Sequence, residues 1–331
     1  MIRKGARLSK DLFKKSIERV AMRDGYGEGL VIAGEKDERV VVLCADLTES
    51  TRSSYFKERF PERFIEVGVA EQVLATVASG MANYGKIPFI SSFAIFSPGR
   101  NWEQIRTTIA LNDVPVKIGG SHAGINVGPD GATHQALEDM AIMRVVPNMV
   151  VVAPADAVET KKAVIEAAGN GKPTYIRFAR EKTPVFTTDK TPFKIGRAEV
   201  FWKGKDPLAA IIACGSLVYQ ALLAARELRK NKIEVLVINS HTIKPLDEQA
   251  IIHAAKIAGA VVTVEEHQIA GGLGGAVAEV LSKNFPVPVE FVGMPDKFGQ
   301  SGQSDELLEK YGMKAVNIIK ATKRAIRRKS G

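Results

Sequence analysis

The strongest constraint on this chain is a recurring texture: short apolar runs separated by stretches of helical spacing. Val40-Val41-Val42-Leu43 lies between Glu38-Arg39 and Asp46. Apolar on both faces, it predicts a strand covered on both sides, as strands of parallel sheets are. Similar runs occur at Pro88–Ile90, Val114–Ile118, Met149–Ala153 and Thr174–Phe178. Helical patterns lie between them at Glu71–Tyr84, Asn101–Asn112, His134–Met143 and Ala157–Ala168. Residues 8–35 also carry helical spacing, with Leu12, Ile17, Val20 and Ala21 apolar. Short strands alternating with helices predict parallel βαβ units.

The texture breaks over Glu181–Lys205, which is rich in Thr, Pro, Lys and Gly and reads as an extended linker. A second series follows. Its strands are predicted at Ala209–Cys214, Glu234–Ile238, Ala260–Glu265 and Val287–Val292, its helices at Val218–Asn231, Asp247–Ile257 and Gly274–Phe285. The expected fold class is α/β with two domains, each a mostly parallel sheet flanked by helices: residues 1–185, a linker at 186–200, and residues 201–331.

Composition narrows the class. With 331 residues, 45% hydrophobic and 25% charged, the chain has the make-up of a globular protein of two ordinary domains. No apolar run reaches the roughly 18 residues a membrane span needs, and Met1-Ile2-Arg3-Lys4 is not followed by an apolar core of signal-peptide type. A cytoplasmic location without membrane contact is the default expectation. The net charge is +9, but Lys314, Lys320, Lys323, Arg324, Arg327, Arg328 and Lys329 supply seven positive charges in a terminal stretch that holds no acid. A helix with a solvated basic face explains that stretch without nucleic acid. Cys44 and Cys214, the two cysteines, each end an apolar run and read as small buried side chains rather than a zinc site or a disulfide framework.

One carboxylate stands out. Glu71 sits where the strand-type run Phe64-Ile65-Glu66-Val67 gives way to small helix formers, with Val67, Val69, Val73 and Leu74 as apolar neighbours. If those neighbours surround it, its charged form is disfavoured and it can hold a proton near neutral pH. The alternative is a solvated first-turn Glu favoured by the helix dipole.

In open parallel sheets, ligands bind beyond the carboxyl ends of the strands. Here those ends lead into Ala45–Ser50, the segment before Glu71, Ser91–Phe96, and the long stretch Gly119–Gln135. The last carries His122 and His134 at opposite ends of a glycine-rich loop, with Asp130 between them. Turn chemistry accounts for Gly128-Pro129-Asp130-Gly131, but not for the two histidines. In the second series, Glu265-Glu266-His267 leads into a Gly-rich turn, Gly271-Gly272-Leu273-Gly274-Gly275, that could cradle an anion at a helix start; a structural role is the stronger reading. His241 and His253 show no partner pattern.

Ala45-Asp46-Leu47-Thr48, Gly68-Val69-Ala70-Glu71-Gln72, Ser92-Phe93-Ala94-Ile95-Phe96 and Gly128-Pro129-Asp130-Gly131-Ala132-Thr133-His134-Gln135 together resemble the transketolases. The resemblance covers a pyrimidine-binding domain and a C-terminal domain. It implies thiamine diphosphate and transfer of a two-carbon ketol unit between sugar phosphates. No Gly-Asp-Gly occurs, the motif with which the family's preceding domain holds the diphosphate and a divalent metal (Mg or Ca). The expectation is therefore the C-terminal half of a split transketolase. The metal would be held by a partner N-terminal subunit, and two copies of each chain would form an α2β2 assembly.

Residue by residue, the resemblance assigns Glu71 to the cofactor's aminopyrimidine nitrogen, Phe96 to stacking on that ring with Phe93 beside it, and Asp46 to the cofactor and subunit contact. His122, Asp130 and His134 match groups that hold sugar hydroxyls and shuttle protons. Arg23, Ser50 and Arg180 match a sugar-phosphate clamp, for which guanidinium is well fitted. Three positions depart from the family pattern. Ala70 stands where long transketolases carry Arg and deoxyxylulose-phosphate synthases carry Ala. Pro129 replaces an acidic residue, and Gly99 a common tyrosine. Half of a deoxyxylulose-phosphate synthase and a 2-oxoacid dehydrogenase β subunit are thus the alternatives among enzymes. A basic-tailed interaction module is the alternative outside them.

Overall fold

A computed structural model describes residues 1–329; the last two residues of the expected second domain and basic tail lie outside the described residues. The apolar runs form two separate sheets. The first has seven strands in the order Thr242–Lys244, Val150–Val152, Thr174–Arg177, Lys117–Ser121, Ile87–Phe93, Val40–Cys44, Phe64–Glu66. Six are parallel, and Thr242–Lys244 runs antiparallel to Val150–Val152. Every residue of Val40–Cys44, Ile87–Phe93 and Lys117–Ser121 is buried, as runs apolar on both faces require. The helix Met22–Lys36 packs with Ala157–Gly169, and Glu71–Asn83 lies against Ile87–Phe93.

The second sheet has the order Val289–Met294, Val261–Gln268, Ala209–Ala213, Val235–Asn239, Glu199–Lys203, parallel except at Glu199–Lys203. Helices Val218–Lys230, Glu248–Ala258, Leu273–Asn284 and Ala315–Lys329 cover it. Asp156 and Asp247 cap helices: their carboxylates accept from the backbone N–H groups of Glu159 and Ala250. The basic stretch is a helix whose buried face includes Ile318, Ala321 and Ala325. Arg324 and Arg328 pair with Glu290, and Lys314 with Asp305 and Glu309. Cys44 and Cys214 are buried free thiols.

Several expectations need correcting. Within residues 8–35 the helix begins only at Met22; Arg19–Ala21 is a short strand paired with Lys182–Pro184. The helix expected from His134 starts at Asp139, because residues 125–130 form a kinked turn with Gly128 at φ 72° and the chain re-enters a helix only after residue 138. Asn101–Asn112 is wider than a regular α-helix over Ile105–Ala110. Glu181–Lys205 is no free linker. Phe186, Thr187 and Thr191 are buried, and Asp156 accepts hydrogen bonds from the backbone of Phe186 and Thr187. The strand Thr242–Lys244 comes from the second half of the chain yet completes the first sheet. No described helix is long and apolar enough to cross a membrane.

Candidate active site at the edge of the first sheet

Strand order places the candidates in a row. The strands Thr174–Arg177, Lys117–Ser121, Ile87–Phe93, Val40–Cys44 and Phe64–Glu66 are neighbours. Their carboxyl ends deliver Arg180, His122, Phe93, Asp46 and Glu71 along one edge, where parallel sheets bind ligands.

Glu71 is the first residue of its helix and only 5% exposed. Its surroundings differ from the expected apolar shell. Val69 and Val73 point outward, 69% and 48% exposed, because at this helix start only Leu74 and Ala75 face the core. Beside the carboxylate stands Arg100, whose Nη1 is 3.4 Å from both Oε atoms. Asn101 Nδ2 donates to the Glu71 backbone carbonyl at 2.9 Å. The Arg100 guanidinium also lies 4.2 Å from the centroid of the Phe96 ring. One turn of chain, closed by Arg100 N donating to Phe96 O at 2.8 Å, brings the two together. Arg100 escaped the sequence reading; its spacing of four from Phe96 was the available signal.

Phe93, Phe96, His122 and His134 form one aromatic cluster. Phe93 and Phe96 are near-parallel, 6.0 Å apart at 17°. Phe93 stacks on His122 at 3.8 Å, and His134 meets Phe96 edge-on at 5.5 Å. His122 is 2% exposed, with its Nδ1 2.8 Å from Ser121 Oγ. Burial first, then the positive charges of Arg23 and Arg180, push its pKa down to about 3. The imidazole is therefore neutral near pH 7 and can hydrogen-bond a hydroxyl without carrying charge.

Arg23 and Arg180 both act on His122 electrostatically, so the two guanidiniums of the expected clamp do share this end of the sheet. Arg23 is half-buried and donates from Nη1 to Ser50 O at 3.0 Å, leaving its buried Nε without a partner. Burial, with Arg52 second, lowers its pKa. Arg180 Nη1 donates to Val127 O and to Glu181 Oε1. Asp130 is exposed on the His122–His134 loop. Asp46 is exposed at φ 57°. Its backbone N–H donates to Glu66 Oε1 at 2.7 Å, Thr48 Oγ1 to Glu66 Oε2, and Gly68 N to Glu66 Oε1. Glu66 thus ties the Asp46 loop to the Glu71 approach; no sequence signal had singled it out.

The arrangement suits the thiamine pyrimidine in shape. The Arg100 guanidinium shows that a flat polar group fits on Phe96 with its edge at the Glu71 carboxyl. Among the described residues, no three His, Cys, Asp or Glu side chains gather as metal ligands.

The second-domain Gly-rich turn does not present an open anion cradle. Glu265 fills it from within, accepting from Leu273 N at 2.7 Å and Gly274 N at 2.8 Å. Burial raises the carboxyls of Glu265 and Glu266 above the usual range, against the pull of His267 and Arg177 respectively.

Two catalytic-family domains account for this pair of sheets: a transketolase pyrimidine-binding domain matches residues 18–185, and a transketolase C-terminal domain matches residues 196–318. The chain belongs to the transketolase family. It is 46% identical over 302 residues to a transketolase C-terminal section of Methanocaldococcus jannaschii, covering 90% of this chain and 94% of that one. A 6-deoxy-6-sulfo-D-fructose transketolase subunit of Clostridium sp. is 39% identical, covering 96% of this chain and 98% of the relative. A solved split-gene transketolase, described as an inactive beta4 tetramer, superposes with a TM-score of 0.87 at 45% identity, covering 94% and 99% of the two chains. The family implies thiamine diphosphate as cofactor.

Proposed function

We propose that this chain is the C-terminal subunit of a two-chain transketolase that transfers a two-carbon ketol unit between sugar phosphates in carbohydrate metabolism of the pentose phosphate type, in the cytoplasm. The observation that carries the reading is the buried Glu71 carboxyl, joined to the Phe96 ring by the Arg100 guanidinium, with His134 against Phe96 and His122 against Phe93 on one strand-end edge. Residues 1–185 are the pyrimidine-binding module and 201–331 the C-terminal module. Bound thiamine diphosphate supplies the nucleophilic carbon on which the two-carbon unit travels. Glu71 hydrogen-bonds the pyrimidine nitrogen, Phe96 and Phe93 support the ring, and Asp46 flanks it. His122 and His134 exchange protons with sugar hydroxyls, with Asp130 at the loop tip. Arg23, Ser50 and Arg180 receive the phosphate.

The diphosphate and its divalent metal belong to a partner N-terminal subunit, since this chain has neither a Gly-Asp-Gly motif nor a metal cluster of its own among the described residues. The exposed Val69, Val73, Val77 and Tyr84 beside Glu71 form an apolar stripe suited to a neighbouring chain, in keeping with an α2β2 assembly. The test is substrate choice by the reconstituted complex. Xylulose 5-phosphate with ribose 5-phosphate should give ketol transfer. Turnover of pyruvate with glyceraldehyde 3-phosphate instead would reassign the chain to a deoxyxylulose-phosphate synthase.

A further inference from the structure

Glu266 lies in the second domain, 3% exposed, outside the chemistry described above. We infer that Glu266 is a positioning residue for substrate phosphate: through Asn126 it sets the geometry of Arg180 across the domain boundary. The inference rests on the reading of Arg180 as a sugar-phosphate ligand.

The connection is continuous. Glu266 is fixed at both ends: Ser216 Oγ donates to its Oε2 at 2.9 Å, and Arg177 Nη2 to its backbone carbonyl at 2.7 Å. Its Oε1 accepts from Asn126 N at 2.6 Å. Asn126 Oδ1 accepts from Glu181 N at 2.6 Å, Glu181 Oε1 from Arg180 Nη1 at 2.8 Å, and the same Nη1 donates to Val127 O. Arg180 is thus held by the residue that follows Asn126 and by the residue whose backbone Asn126 grips. Gly124, at φ 79°, leaves room for the arrangement, since a Cβ there would collide with the Glu266 carboxylate. Asn126 also donates from Nδ2 to Ser304 Oγ at 3.0 Å. A cleft of about 380 Å³, lined by Asn126, Glu181, Ser216 and Ser304 among others, opens between the domains here. Directed hydrogen bonds add to the packing of Ile125 in the second domain's core and fix the orientation of Asn126. A carboxylate is the fitting device, because a charged acceptor makes a shorter, stronger bond to N–H than a neutral one.

The experiment compares a phosphorylated acceptor sugar with its unphosphorylated counterpart in the complex with the partner subunit. For Glu266→Ala, KM for the phosphorylated sugar should rise about tenfold, the scale of one lost charge-assisted bond, while kcat/KM for the unphosphorylated sugar stays within about twofold. Glu266→Gln keeps an acceptor for Asn126 N and should recover most of the loss. If the alanine variant does not assemble, Asn126→Ala, which removes the grip on Glu181, should show the same selective loss. Equal loss on both sugars, or none, overturns the inference. A wild-type complex without ketol transfer to either sugar refutes the transketolase reading itself.

Discussion

The two sheets end in the same way and use those ends differently. In the first, the carboxyl ends carry groups left available, Asp46 and His122 at positive φ and Glu71 facing a half-exposed Arg100, with Arg23 on the helix Met22–Lys36 keeping a buried Nε unpaired. In the second, the ends are closed from within. Glu265 caps the helix that follows it, Glu266 holds Asn126, and His267 Nδ1 donates to Gln268 O. A parallel sheet therefore supplies a place for a ligand, and the residues at its rim decide whether a ligand or the protein's own carboxylate fills that place.

That contrast can be broken by mutation. The largest effect is expected at the open end. Glu71→Ala should lower ketol transfer by about a thousandfold, the middle of the range for loss of a proton-transfer group, with an unchanged circular dichroism spectrum; near-normal turnover would sink the assignment. At the closed end, Glu265→Ala leaves two helix N–H groups unpaired in the interior. It should cost about 3 kcal/mol of stability by urea titration, while the folded fraction keeps its activity. A mutation here that spares stability but abolishes activity would erase the distinction drawn between the two rims.

Acid tests the open end again. His122 is neutral in the folded chain until about pH 3, whereas an unfolded histidine protonates near pH 6.5. Below that value the unfolded state binds the extra proton, so stability falls as pH drops from about 6.5 towards 3. At pH 5 the loss should be about 2 kcal/mol from His122. His122→Asn should flatten the pH dependence by that amount in thermal melts at fixed buffer strength; an unaltered slope would mean the imidazole is solvated. The smallest effect concerns Arg100. Its half-exposed contacts with Glu71 and Phe96 are worth little, and they must be given up when a ring stacks there. Arg100→Ala should tighten thiamine diphosphate binding about threefold in calorimetry on the assembled complex. Weaker binding would make Arg100 a ligand rather than an occupant of the space.

Much of this was legible in the residues. The runs from Val40 to Phe178 read as buried parallel strands because they are mostly apolar, with Lys117 and Arg177 the charged exceptions, and the loops carrying Glu71, Phe93, Phe96 and His122 follow from where those strands stop. What stayed hidden depends on contacts distant in sequence. Thr242–Lys244 is too short to declare which sheet it joins. Glu66 and Glu266 look like ordinary charged residues until the N–H groups they serve are brought to them. For Glu71 the residues left both an apolar shell and a solvated first turn open; the fold gives neither, since Val69 and Val73 are exposed and Arg100, 29 residues on, stands beside the buried carboxylate.

The short strand lent by the second half has a practical consequence. It seals Val150–Val152, which would otherwise be the bare margin of the first sheet. A fragment cut near residue 190 would carry that margin uncovered, with a row of unpaired backbone groups open to any other chain. Cutting the polypeptide there should therefore yield sticky, aggregating material instead of a free-standing coenzyme module.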